Sequence, residues 1–511
     1  MAQDNWRTYT FEFDGGLISS LSPLQHGNKL PGTARILRNF EPSVEGGYRR
    51  VEGYAKFDNN QVTAGGDLFR GLAVFNGNAV VAYGTHLYIS SGSGWTQLTD
   101  NATYSSGGIT LAGSGKVRFT THKFSTVKTL IIVDGASKPF KFDGTTFSSI
   151  TTATSDQEDA TFVTEHQDHL FFVKDNLLTF SAPSSDSDYS IGAGGGAFRF
   201  KNNISGIVSF RDQLVVFTAS SIDIISGSSE ADFVKKNITD DVGAVEEDTI
   251  QEIGGDIIFL GPDGLRLLSA TDRINDFSLG VVTKAIQSEM TDFLTRSTSF
   301  SSVVIRDKSQ YRLLGYNPSY TDESALGILG TQFSPQGGAE MAWGELRGIN
   351  AYVAASERDE TSEIVIFAND DGYVYQMEEG TSFDGNDIIA TFATPFVFID
   401  DPQIRKSFYK LNIYTDPQGS FESVVNLKLD FDTEGTVQPP EIVFSNITNT
   451  VSLYGVSTYG TGSFGGKLKK IFSTQTVGSG FNVSLEFVSE SQTPPFSLDA
   501  ATLEFATHGR R

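Results

Sequence analysis

A chain of 511 residues is too long for one ordinary core, so two or three domains are expected. Its formal net charge of −24 repels phosphate, which argues against a surface that grips nucleic acid but not against DNA passing by without being held. Without a single cysteine there are no disulfide staples and no thiolate chemistry.

The residue types favour strands. Gly 52 and Phe 40 against Met 4 suit tight turns and aromatic strand faces, so the expected class is all-β. Residues 1–10 are polar and lack the apolar stretch of a secretory signal. No apolar run approaches the roughly 18 residues a membrane span needs, so no membrane insertion is expected.

Residues 1–60 read as an N-terminal arm. Tyr9–Phe13 alternates like a strand and stops at Asp14-Gly15-Gly16. An irregular stretch holding Pro23 and Pro31 follows, then a hairpin formed by Ala34–Phe40 and Gly47–Tyr54. Residues 67–100 carry short apolar runs at Leu72–Phe75, Ala79–Tyr83 and Leu87–Ile89 and a weaker one at Trp95–Leu98. Gly and Asn turns separate them, the pattern of a four-stranded antiparallel meander. Similar units recur at 115–150, 160–189, 203–242, 247–277, 298–347 and 349–384, a period of about 40–50 residues. One small sheet cannot bury both faces, so stacked copies are expected, as in a β-propeller of six to seven blades over residues 61–387.

Two departures interrupt the repeats. Gly192–Gly196 is a glycine-rich loop. Val282–Arg296 places Ala285, Ile286, Met290, Phe293 and Leu294 at helical spacing, a helix either packed on a blade or presented to a neighbour. From Ile388 onward the strands lengthen, and residues 388–511 read as a C-terminal β-sandwich. Alternation in its Val425-to-Phe431 stretch puts Val425, Leu427, Leu429 and Phe431 on one face.

Several segments together carry a family resemblance. Gly15-Gly16 is followed by Pro31-Gly32, Ala34, Leu37 and Asn39, then by Gly46-Gly47, Arg49-Arg50 and Gly53-Tyr54. The order resembles the N-terminal signature of tail nozzle (stabilisation or tail tubular) proteins of short-tailed bacteriophages. The Gly460–Gly466 run and the terminal Gly509-Arg510-Arg511 resemble the family's C-terminal end. The resemblance implies a structural virion protein of the tail, assembled in the host cytoplasm as a hexameric ring below the portal–adaptor complex. It further implies contact with the tail adaptor and with tail fibre or spike proteins, and a lumen through which DNA leaves without specific binding. Arg35, Arg38, Arg49 and Arg50 are the expected contacts to an acidic neighbour; ordinary hairpin charges are the competing reading.

Catalytic readings fare less well. Ser90–Trp95 has the outline of a sialidase Asp-box turn, but Gly92 stands at the Asp position. The carboxylate pairs Asp240-Asp241, Glu246-Glu247, Asp370-Asp371 and Asp400-Asp401 would need a partner held at a defined separation in a pocket to work as acid and base. Asn369–Gly372 lacks the ligand spacing of a calcium loop and reads as a β-turn. His166 and His169 lack zinc spacing, and no P-loop or nucleophile elbow is present. No enzyme activity, cofactor or metal is therefore expected. The rival expectations are a carbohydrate-binding or glycan-cleaving β-propeller, which Trp 3 makes less attractive, and a monomeric scaffold propeller of cellular origin.

Overall fold

The computed structural model describes residues 6–63, 67–98, 110–124, 126–269, 280–320, 324–333, 340–358, 362–445 and 470–508. The Gly460–Gly466 run and Gly509–Arg511 lie outside the described residues.

The chain is all-β and built of many small antiparallel sheets. Among the described residues, seven follow one another along the sequence. Sheet I comprises Phe69–Phe75, Asn78–Tyr83, His86–Ser90 and Thr96–Gln97. Its first hairpin turns on Asn76 and Gly77, with φ of 51° and 76°, the two left-handed residues of a type I′ turn. Sheets II to VI occupy 118–149, 162–199, 204–239, 251–267 and 299–347. Sheet VII takes 353–377 and completes itself with Tyr54–Lys56, a strand from the opposite end of the sequence.

One sequence feature explains how these sheets stack. The second strand of most units is a continuous apolar run, as in Val80-Val81, Leu130–Val133, Leu170–Val173, Leu214–Phe217 and Ile257–Leu260. Such a run is buried on both faces, and alternate residues enter different cores. Val80 and Ala82 join Leu130 and Ile132 between sheets I and II. Ile131 and Val133 turn the other way, onto Leu170 and Phe172 of sheet III. Phe171 and Val173 then meet Leu214 and Val216 of sheet IV, whose Val215 and Phe217 meet Ile257 and Phe259 of sheet V. Ile258 and Leu260 face Tyr311 and Leu313 of sheet VI. Leu314 packs with Val365 and Phe367 of sheet VII, whose Ile366 and Ala368 return to Ala79 and Val81 of sheet I. Each sheet shares a core with the next, and the last shares one with the first.

Two larger sheets face each other across a further core. One contains, in order, Phe40–Pro42, Tyr48–Arg50, Phe496–Thr507, Lys406–Pro417 and Ile471–Gly480, with Arg7–Glu12 also on Phe496–Thr507. The other continues sheet VI through Ile36–Arg38 into Ile388–Ala393, Val483–Ser491, Glu422–Leu429 and Ile442–Ser445. Phe392, Phe487, Val425 and Leu427 of one meet Leu411, Leu498, Leu503 and Phe505 of the other. Residues 1–60 thus divide their described strands among three sheets instead of standing apart as an arm.

Two local expectations change. Val425, Leu427 and Leu429 are buried, but Phe431 is 37% exposed. The strand stops at Leu429, and Asp430, Phe431 and Asp432 turn with φ of 52°, 60° and 54°. Asn482 Oδ1 holds the Phe431 amide there at 3.1 Å. The helix is shorter than its sequence pattern, a 3-10 turn at Lys284–Ile286 followed by Gln287–Arg296. Ile286, Met290 and Phe293 are buried in the chain's own core. Among the described residues no helix is long and apolar enough to cross a membrane.

Candidate functional site

Strand Ile36–Arg38 stitches the ring of sheets to the two-sheet body, pairing with sheet VI on one side and Ile388–Ala393 on the other. The stitch ends at Asn39, buried and left-handed at φ 51°, a conformation Asn tolerates better than most residues. Its amide donates to Glu345 O at 2.9 Å, and its carbonyl accepts from Val51 N at 3.0 Å. Its Oδ1 accepts from Arg347 N at 2.8 Å, and its Nδ2 donates to Ile389 O at 2.9 Å. One side-chain amide therefore closes the ladder where the strand gives out.

The four arginines expected as contacts stand around this seam. Arg50 is fully buried; its guanidinium donates to Ser491 O at 2.9 Å and to Thr493 O. Burial pushes its pKa down to about 10, against the pull of Asp387. In this chain Arg50 is an internal clamp, inaccessible to a neighbour. Arg49 bonds Glu52 and reaches Gln418 at 3.1 Å. Arg35 lies over the Phe396 ring, 5.2 Å from its centroid, and burial lowers its pKa against Glu486 and Asp432. Arg38, half exposed, pairs with Glu345 at 2.7 Å.

A buried ion network lies beside them. Glu41 contacts Lys308 at 2.7 Å, Arg312 at 3.1 Å and Gln310 at 3.2 Å. Glu378, at the end of sheet VII, contacts Arg312 at 2.6 Å and also Lys308. Burial alone would raise the Glu378 carboxyl, but Arg312 and Lys308 outweigh it and hold it at about 2. The network joins the N-terminal hairpin to sheets VI and VII through residues that no local sequence pattern connects.

The axis of the ring holds a second network. Lys116 and Arg118, entering sheet II, meet Glu246, Glu247 and Asp248, which lead into sheet V. Lys116 reaches Asp248 at 2.6 Å, Glu246 at 3.3 Å and Phe300 O at 2.9 Å. Arg118 reaches Glu247 at 2.7 Å and Asp248 at 3.1 Å. Three carboxylates face two cations, so one carboxylate holds a proton most readily. Burial raises Glu247 to about 8 despite Arg118, with Asp248 and Glu246 adding to the rise. Asp248 goes the other way, because Arg118 and Lys116 outweigh its burial. Two cavities flank these charges. One, of about 450 Å³, is lined by inner strands at Leu72, Thr121, Val163, Ser302 and Ala355. The other, of about 650 Å³, is lined where those strands begin, at Gly115, Thr161, Ser299 and Tyr352. Arg118 borders both. The ion pairs therefore partition the space along the axis.

No protein-family model and no curated protein matches the chain. Solved structures do. The extracellular domain of a putative hybrid two-component system from B. thetaiotaomicron matches at a TM-score of 0.41 and 11% identity, over 67% of this chain and 46% of its own. The extracellular domain of a putative one-component system from the same organism matches at 0.40 and 11%, over 65% and 41%. The chain thus spans less than half the length of either domain. A computationally designed protein, Ika8, matches at 0.34 and 9% identity, over 63% of this chain and 99% of its own. Scores below 0.5 carry no assignment of function.

The remaining candidates are spent on structure. Asp371 accepts from Tyr375 OH at 2.6 Å and Asp400 pairs with Arg7 at 2.8 Å. Asp240 accepts from Asn237 at 3.2 Å, and Glu246 belongs to the axial network. Asn369 and Asp371 cap the amides of their own turn at 3.0 Å and 2.9 Å. His166 Nδ1 lies 2.9 Å from Ser209 Oγ, and His169 Nδ1 lies 2.6 Å from Ser181 O. Among the described residues no group of three His, Asp or Glu side chains is placed to hold a metal ion. In the Ser90–Trp95 turn, the carboxylate missing at Gly92 comes from Asp58, which accepts from Ser90 Oγ and Gly94 N, each at 2.6 Å. Sequence reading missed Asp58 because it lies 32 residues from Ser90.

Proposed function

We propose that the chain is a structural subunit of a short-tailed phage tail nozzle, with sheets I–VII as blades of a seven-bladed β-propeller and the two larger sheets as a β-sandwich. In this reading it forms a hexameric ring below the portal–adaptor complex, docks fibres or spikes, and catalyses nothing. One observation carries it: the residues of the N-terminal resemblance are those that weld propeller to sandwich. Gly16, at φ 71°, passes so close to Trp343 that a Cβ would sit 2.6 Å from its amide nitrogen. Leu37 is buried, Asn39 closes the seam and Arg50 clamps the sandwich, while Tyr54 packs within the propeller, stacked on Phe383 in the core between sheets VI and VII. A welded block suits a ring subunit that must transmit load without hinging.

In this reading DNA runs outside each propeller, along a lumen between subunits, since Lys116–Asp248 and Arg118–Glu247 bridge the propeller's own axis. The −24 charge favours passage over retention there. Electron microscopy of the purified chain mixed with portal–adaptor complexes tests the reading. Six-fold rings capping the adaptor are expected; a chain that stays monomeric in that mixture overturns it.

A further inference from the structure

The seam leaves a gap. Strand Ile36–Arg38 pairs with Glu345 on one side and with Thr391–Ala393 on the other, then stops. Its neighbours continue, one through Leu346 and Arg347 and the other through Ala390 to Ile388. Two strands with a missing strand between them stand about 10 Å apart, twice the ordinary strand spacing. Asn39 bridges the first rung with its side chain, and beyond it opens a cleft of about 800 Å³.

The cleft has walls of opposite charge. Arg38 and Arg347 line one part, and Asp387 and Glu490 line another. Both arginines share Glu345, whose Oε2 takes Arg38 Nε at 2.7 Å and whose Oε1 takes Arg347 Nη2. Two guanidiniums on one carboxylate leave donors unspent. Arg347 Nε is buried without a partner among the described residues, and Arg38 is half exposed. Guanidinium donors of this kind suit a carboxylate, which they can hold through paired hydrogen bonds.

We propose that this cleft docks an extended peptide segment of a partner protein, with an acidic side chain on Arg38 and Arg347. Its width suits one strand, and the acidic wall of Asp387 and Glu490 sets polarity by rejecting a second carboxylate at the far end. The site stands whether or not the chain is a nozzle subunit.

Fluorescence anisotropy with a labelled Glu-Thr-(Gln-Thr)3 peptide, which carries one acidic side chain, and its (Gln-Thr)4 counterpart tests it on the full chain. The Glu peptide is expected to saturate below about 1 mM, with the Gln peptide and the Arg38→Gln chain each about tenfold weaker. General attraction cannot supply such binding, because the chain repels acidic peptides. Arg347→Gln, first checked for an unchanged melting curve, should act in the same direction as Arg38→Gln. Equal binding of the two peptides, binding indifferent to Arg38→Gln, or no saturation below about 1 mM overturns the proposal.

Discussion

The ring of sheets and the seam are held by different chemistry. Each core of the ring, except the one that closes sheet VII onto sheet I, joins neighbours in sequence, such as Ile131 with Leu170, through apolar side chains whose alternation chooses the face. The seam joins residues hundreds of positions apart, such as Arg50 with Ser491 and Glu41 with Arg312, through buried charge and hydrogen bonds. Apolar cores tolerate imperfect partners, whereas a buried charge tolerates none. The ring can thus vary while the seam specifies one way of fitting the two bodies together.

Breaking the seam should cost most. Arg312→Ala leaves buried Glu41 and Glu378 to share Lys308 and is expected to lose about 3–5 kcal/mol in chemical denaturation. A loss under about 1 kcal/mol would erase the contrast between the regions. Leu170→Ala, which empties part of the core between sheets II and III, should cost about 2–5 kcal/mol, nearer the lower end if the sheets close up. Asn39→Ala strands the Arg347 amide and the Ile389 carbonyl, for an expected loss of about 1–3 kcal/mol by the same measurement.

The axial network should show itself through pH. Glu247 has its folded pKa raised to about 8, so between the ordinary carboxyl range and pH 8 the folded chain holds a proton that the unfolded chain releases. Its contribution therefore falls as pH rises through that window. His166, lowered to about 4 by burial, acts oppositely: its contribution is lost as pH falls from the ordinary histidine value toward 4. Melting temperatures of Glu247→Gln should lose the decline that accompanies a rise in pH from the ordinary carboxyl range to 8, and keep the loss that accompanies a fall in pH toward 4. A Glu247→Gln curve parallel to the parent's above pH 5 would mean that the proton is held elsewhere. The smallest effect is expected at Arg7–Asp400, whose side chains are 55% and 51% exposed, where Arg7→Gln should cost about 0–1 kcal/mol.

The repeats were legible because each unit writes its own strands. Runs such as Leu170–Val173 announce a strand buried on both faces, and Asn76-Gly77 announces its turn. The seam was not legible, although Leu37 and Asn39 belong to the segments that carry the resemblance. Arg50 reads as a surface charge until Ser491 and Thr493 close over it. Ile471–Gly480 forms a ten-residue strand with few apolar residues, so its pairing with Lys406–Pro417 had no periodic signal. Glu246-Glu247 looked like any solvated pair until Lys116 and Arg118 met it across the ring.

By itself the amino-acid sequence determined the all-β class, the repeating small sheets and their turns, because strand periodicity and turn chemistry act within a few residues. Only the tertiary structure decided which strand completes sheet VII, which charges are buried, and that the ring's axis is bridged. Those outcomes depend on contacts between distant residues, whose energies arise only once the chain has brought them together and excluded water.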